Sequence, residues 1–237
     1  MSRSFSLLAL TFAVATGISA QPPVFHDDFE SGAVDKTVWK ELVQGDATLK
    51  IQADKAAHGK FALQVHYPAG KSSLAFLTHD GLPGSLKEHL FGRAYVFVEP
   101  KAPSGHMVLL PIGDGDYPLS EFEEVGMYRG TWQPSYQQNR FTSGRGEVVD
   151  HGPAVPAGKW FCLEWEFNDN PNSITLWVDG EKVSEKSFTF RELGKYHLVG
   201  EFKQLAVGVR LWGAATEAFD VYFDDIAVDT KRIGPVK

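Results

Sequence analysis

Side chains able to hold a sugar polymer recur two residues apart along this chain. Glu164 and Glu166 are spaced in this way, as are Arg93 and Tyr95, and Arg210 and Trp212. In an extended strand, residues at i and i+2 point to the same side of the sheet. Over Trp160–Phe167 that rule turns Phe161, Leu163, Trp165 and Phe167 inward and leaves Glu164 and Glu166 on the other face. Trp177 joins them, because it alternates away from Ile174, Leu176 and Val178. If these strands are neighbours, one sheet face gathers arginines, acids and rings. Flat rings stack on the C–H faces of sugars, while forked donors and carboxylates meet hydroxyls and acid groups. Taken singly, each of these residues fits an ordinary solvated strand surface equally well.

The elements that must position them are short. From Phe25 to Val228, runs of period two are broken by Gly, Pro, Asn and Asp, with no long helical pattern. The pattern predicts strands at Phe61–Tyr67, Leu74–Leu77, Phe91–Val98, His106–Ile112, Val125–Arg129 and Gln138–Thr142. It predicts further strands at Trp160–Phe167, Ser173–Val178, Leu205–Trp212 and Asp220–Val228. Ser85–Leu90 and Phe190–Gly194 read as helical turns. Asp179-Gly180 suits a tight hairpin turn, whose backbone needs positive φ. Gly113–Ser120 and Ser143–Lys159 read as long loops. The expected architecture is a single all-β domain, a two-sheet antiparallel β-sandwich of the jelly-roll type, over residues 21–237.

Residues 1–20 carry Arg3, an apolar run from Leu7 to Ala15 and small residues before Gln21, the pattern of a signal peptide. The apolar run falls short of the roughly 20 residues that span a bilayer. The expectation is a secreted or periplasmic chain, monomeric and not held by a membrane. A net charge of −7 argues against nucleic acid as a partner. The single cysteine, Cys162, has no partner for an internal disulfide and reads as a buried side chain.

Carboxylates also collect at the two ends of the chain, in Asp27-Asp28-Phe29-Glu30 and in Asp224-Asp225. Pairing of the terminal strands would bring them together. Ca²⁺ takes about six to eight oxygens, main-chain carbonyls such as those near His58 and Gly59 included. Ordinary turn and edge chemistry explains the same residues.

Several segments carry a resemblance: Asp27-Asp28-Phe29-Glu30-Ser31-Gly32, Gly59-Lys60-Phe61-Ala62-Leu63 and Trp160-Phe161-Cys162-Leu163-Glu164-Trp165. With Trp177-Val178-Asp179-Gly180 and Phe223-Asp224-Asp225-Ile226-Ala227-Val228, they resemble the secreted polysaccharide-lyase-like, concanavalin-A-like jelly rolls. That group includes glucuronan lyases and the fungal cellulose-induced protein. The resemblance implies a structural Ca²⁺ held by Glu30, by Asp224 or Asp225, and near Gly59. It also implies a polysaccharide cleft, with a polyuronate or a plant cell-wall glycan as partner.

A lyase removes the proton next to a uronate carboxyl group and expels the 4-linked sugar. Arg93, Gln138 and Arg140 are the candidates for binding that carboxylate, and His106 and Tyr128 the candidates for base and acid. Tyr95, Glu164, Glu166, Trp177, Arg210 and Trp212 would line the cleft. Two other readings stand beside this one. The first is a carbohydrate-binding protein without turnover. The second is a glycoside hydrolase using Glu164 with Glu166, or two of Glu121, Glu123 and Glu124, although the chain lacks the Glu-x-Asp-x-x-Glu arrangement of jelly-roll β-glucanases.

Overall fold

The computed structural model describes residues 22–86, 88–118, 122–137, 153–168, 173–187 and 201–236. The described strands are β1 (Phe25–Asp27), β2 (Lys40–Gln44), β3 (Thr48–Gln52), β4 (Ala62–Tyr67), β5 (Leu74–Asp80), β6 (His89–Val98) and β7 (His106–Gly113). They continue as β8 (Phe122–Tyr128), β9 (Thr131–Gln137), β10 (Trp160–Asn168), β11 (Ser173–Val178), β12 (Glu181–Ser187), β13 (Gln204–Trp212) and β14 (Phe219–Asp229).

They form two antiparallel sheets. The eight-stranded sheet runs β12-β11-β10-β6-β14-β4-β3, with β1 on the far half of β14; the six-stranded sheet runs β2-β5-β13-β7-β8-β9. This is the expected two-sheet jelly-roll sandwich. Its core follows from alternation: Phe161, Leu163, Trp165 and Phe167 of β10 are 0–1% exposed, as are Leu205, Val207 and Val209 of β13. Burying a side chain of this size stabilises by about 1.5–3 kcal/mol. Trp165 lies so close to β6 that a Cβ on Gly92 would sit 2.0 Å from its indole, so only glycine fits there.

Turn chemistry also behaves as the sequence requires. Asp179 and Gly180 both adopt positive φ, 51° and 87°, and join β11 to β12 in a two-residue hairpin.

One expectation changes, and two fall outside the described residues. The strand beside β8 is Thr131–Gln137; the predicted Gln138–Thr142 lies outside the described residues. Pro134 hides this strand in the sequence, because proline cannot donate to a ladder, and the sheet tolerates it because β9 is an outer strand among the described residues. Of the predicted turn at Ser85–Leu90, Gly84–Leu86 forms a 3₁₀ turn and Leu90 already belongs to β6. Phe190–Gly194 is outside the described residues.

The outward face of the six-stranded sheet is also partly covered. Leu74, Phe76, Val108, Tyr117, Phe122 and Ala206 form a second buried cluster there. Tyr117 docks edge-on between Phe76 and Phe122, with ring centroids 5.0 and 4.8 Å away.

Candidate functional site

Four of the sequence candidates meet on that outward face. Cross-strand pairing places His106 of β7 opposite Trp212 of β13, and the two rings stack at 6.2 Å and 20°. Tyr128, at the end of β8, meets His106 edge-on at 6.3 Å. Arg210, two residues before Trp212, lays its guanidinium carbon 3.8 Å from the Trp212 ring centroid. Its Nη1 donates to the Tyr117 hydroxyl at 3.5 Å. Burial and the neighbouring Glu124 push that hydroxyl's pKa upward, while Arg210 pulls it back. Trp212 is 41% exposed, so the rings and the cation form a shelf open to solvent.

Glu124 points to the same side, deeper in the face. It is 2% exposed and accepts a hydrogen bond from Ser135 Oγ at 3.2 Å. Loss of solvent raises its pKa to about 7 against the opposing pull of Ser135 and Arg210. Glu123, one residue earlier, turns to the inner side. Glu123 and Glu124 therefore face opposite ways and cannot act as a hydrolytic pair. Sequence reasoning considered Glu124 only for hydrolysis and missed Tyr117, Gln133 and Ser135. The signal for Glu124 is alternation, since Phe122, Glu124 and Gly126 oppose Val125 and Met127, which are buried inside.

The other candidates lie on the opposite side of the molecule. Arg93, Tyr95, Glu164, Glu166 and Trp177 occupy β6, β10 and β11 of the eight-stranded sheet, so the single face expected from the sequence is divided in two. Alternation fixes which side of its own sheet a residue takes, but not which sheet its strand joins. Glu164 is 1% exposed and receives Arg232 through two hydrogen bonds, with Gly234 N donating at 3.0 Å. Arg93 donates to the carbonyls of Asp225 and Gly234, and the Tyr95 hydroxyl accepts Val236 N.

Segment 231–236 thus lies over much of this face, with Arg232 4.4 Å from the centroid of the Trp177 ring. Glu166 pairs with His89 at 2.8 Å. Neither Glu164 nor Glu166 is poised as a hydrolase carboxylate. Cys162 is buried nearby and its thiol is pushed up to about 12 by burial, then by Glu164, which suits a structural role. Gln138, Arg140 and Glu121 lie outside the described residues.

The end carboxylates converge on one loop. Glu30 Oε1 accepts Lys60 N and Phe61 N, both at 2.8 Å; Asp224 Oδ2 accepts Ala57 N at 2.8 Å and His58 N at 3.2 Å. Asp225 pairs with the His58 ring. Gly59, at φ 59°, leaves room for Glu30, whose carboxyl oxygen lies 2.4 Å from where a Cβ would be. Asp224 is 1% exposed, and loss of solvent lifts its pKa to about 6, so a buried carboxylate there lacks full compensation. Among the described residues no three His, Cys, Asp or Glu side chains form a metal cage. A cation here would draw on two carboxylates and main-chain oxygens, a donor set of the kind Ca²⁺ accepts.

No family model matches this chain, and no curated protein matches it. Solved structures do match in fold. The cellulose-induced protein Cip1 superposes with a TM-score of 0.66 at 17% identity, over 90% of this chain and 100% of that one. An endo-β-1,4-glucuronan lyase from the fungus Trichoderma reesei gives 0.63 at 17% identity, over 88% and 96%. A sialidase gives 0.60 at 13% identity, over 89% of this chain and 19% of that one. These likenesses establish the shared jelly-roll fold.

Proposed function

We propose that the outward face of the six-stranded sheet binds an acidic polysaccharide and cleaves it by β-elimination. The observation that carries the reading is the shelf itself: His106, Tyr128 and Trp212 in mutual ring contact, with Arg210 fixed over the indole. A pyranose stacks on Trp212 while Arg210 meets a uronate carboxylate. Two of the fold neighbours, the glucuronan lyase and the cellulose-induced protein, bear names that support a glycan ligand.

In this reading His106 takes the proton beside the carboxyl group. The freed electron pair forms a carbon–carbon double bond as the C4–O bond breaks, and Tyr128 gives its proton to the departing oxygen. Arg210 stabilises the charge gathering on the carboxyl group. On this face it takes the part that the sequence suggests for Arg93. Gln138 and Arg140 stay as proposed carboxylate partners on sequence grounds.

Structural Ca²⁺ belongs to the same proposal: Glu30 and Asp224 would hold it with main-chain oxygens near Gly59. The ion would fasten the chain ends and take no part in elimination. Such a substrate is in keeping with the secreted or periplasmic location that residues 1–20 suggest.

The test is incubation with a panel of polyuronates, following ultraviolet absorbance of the unsaturated product. Product formation supports elimination. Affinity without product supports binding alone, a reading favoured by the exposed, cation-bearing Trp212 ring, which needs no catalytic group.

A further inference from the structure

The outward face of the six-stranded sheet holds a second layer of polar groups that the elimination chemistry leaves unused. Glu124 of β8 and Ser135 of β9 are cross-strand partners, and Gln133 lies two residues before Ser135 on the same side. All three are sealed: Glu124 is 2%, Gln133 1% and Ser135 4% exposed. Ser135 satisfies one oxygen of Glu124. Glu124 Oε1, Gln133 Oε1 and Gln133 Nε2 have no hydrogen-bond partner among the described residues. An enclosed polar atom without a partner costs about 1–3 kcal/mol. Three such atoms on one face, beside a cation, point to a partner group that the described residues do not supply.

We propose that Glu124, Gln133 and Ser135, with Arg210 beside them, form the subsite that selects a uronate over a neutral sugar. This rests on the glycan reading given above and sharpens it. A protonated Glu124 donates to the ligand carboxylate, the Gln133 amide donates a second hydrogen bond, and Arg210 balances the one negative charge that remains. A neutral sugar offers Arg210 no charge and loses that balance.

The groups that face Glu124 among the described residues are these. Arg210 comes from β13, Tyr117 from segment 114–118, and Ser135 and Gln133 from β9; His106 and Tyr128 lie further along the same face. Asp114 and Asp116 act on Lys203 and Lys40 instead. Arg210 is therefore the one cation that acts on Glu124 among the described residues. Loss of solvent keeps the proton on Glu124 up to about pH 7. Below that point Glu124 and Arg210 together are positive, and above it they are neutral. Uronate affinity should accordingly fall as pH rises through the neutral range, by up to about tenfold per pH unit.

The experiment titrates the full chain with polyglucuronate, and with its carboxyl-reduced neutral counterpart, at pH 6 and pH 8. Wild type should bind polyglucuronate about tenfold more weakly at pH 8, and should bind the neutral polymer more weakly at pH 6 with no pH trend. Glu124→Gln keeps the shape without the charge and should hold its pH 6 affinity at pH 8. Gln133→Leu should keep or raise the melting midpoint while lowering polyglucuronate affinity about tenfold, which retains a test if Glu124→Gln does not fold. A pH-independent wild type, a Glu124→Gln that retains the wild-type trend, or a folded Gln133→Leu of unchanged affinity overturns this inference and leaves the glycan reading standing. Absence of binding at both pH values to polyglucuronate and to every other polyuronate of the panel overturns both.

Discussion

Arg232 grips Glu164 with two hydrogen bonds, Nη2 to Oε1 at 2.8 Å and Nε to Oε2 at 3.0 Å, on a carboxylate that is 1% exposed. The contact holds segment 231–236 against the eight-stranded sheet and occupies both oxygens of a residue that the sequence offers as a substrate ligand.

Arg232→Ala leaves a sealed carboxylate without its cation. Stripping one partner from a fully buried pair costs about 3–5 kcal/mol. The Arg232 side chain is 39% exposed, so about 2–3 kcal/mol is expected. Denaturant unfolding should show that loss, and a smaller one for Glu164→Gln, which keeps part of the hydrogen bonding.

The shelf residues should separate binding from stability. Trp212→Ala removes an exposed ring and should change unfolding free energy by about 0.5 kcal/mol or less. Affinity for the bound polysaccharide should fall about tenfold, the loss of one stacking contact. Arg210→Ala should weaken a polyuronate far more than its carboxyl-reduced form. Calorimetric titration of both polymers reads these outcomes.

His106→Ala and Tyr128→Phe each remove a proton-transfer group in the proposed elimination. Each should slow unsaturated-product formation by about 10²–10⁴-fold while leaving polymer affinity within about threefold of wild type. Initial rates and affinities measured on the same preparations decide the matter.

Glu124 gives stability a definite pH trend. Its folded-state pKa, about 7, lies above the 4.5 of an ordinary glutamate, so between those values the folded chain binds the extra proton. Its contribution is fully present below about pH 4.5 and is lost as pH rises through about 7. Glu124→Gln should flatten that part of the curve of melting midpoint against pH.

A Ca²⁺ ion that joins Glu30 and Asp224 should raise the melting midpoint relative to chelator, by about 2.7 kcal/mol of stability at a hundredfold excess over Kd. Asp224→Asn should remove that response. An equal midpoint in both buffers would remove Ca²⁺ from the account.

The core and much of the sheet plan were legible because alternation is a local property. Phe161, Leu163, Trp165 and Phe167 alternate cleanly, and Asp179-Gly180 names its own turn. The site was half legible. His106, Tyr128, Arg210 and Trp212 were marked by residue type and strand position, and strand pairing brings them together. Arg93 and Glu164 looked equivalent to them, because sheet membership depends on long-range pairing that no short window contains. Tyr117 and Gln133 gave no signal. The first is drawn onto the sheet from a loop, and the second lies beside Pro134 in a strand that composition argues against.

That proline has a further consequence. Among the described residues β9 forms one margin of the six-stranded sheet, the kind of position where another molecule can zip alongside and begin a fibre. Pro134 removes a donor from the middle of that margin, and at the rim of the other sheet β12 opens with Glu181-Lys182. These two borders thus discourage strand-by-strand accretion, a useful property for a chain whose lone cysteine rules out any internal disulfide.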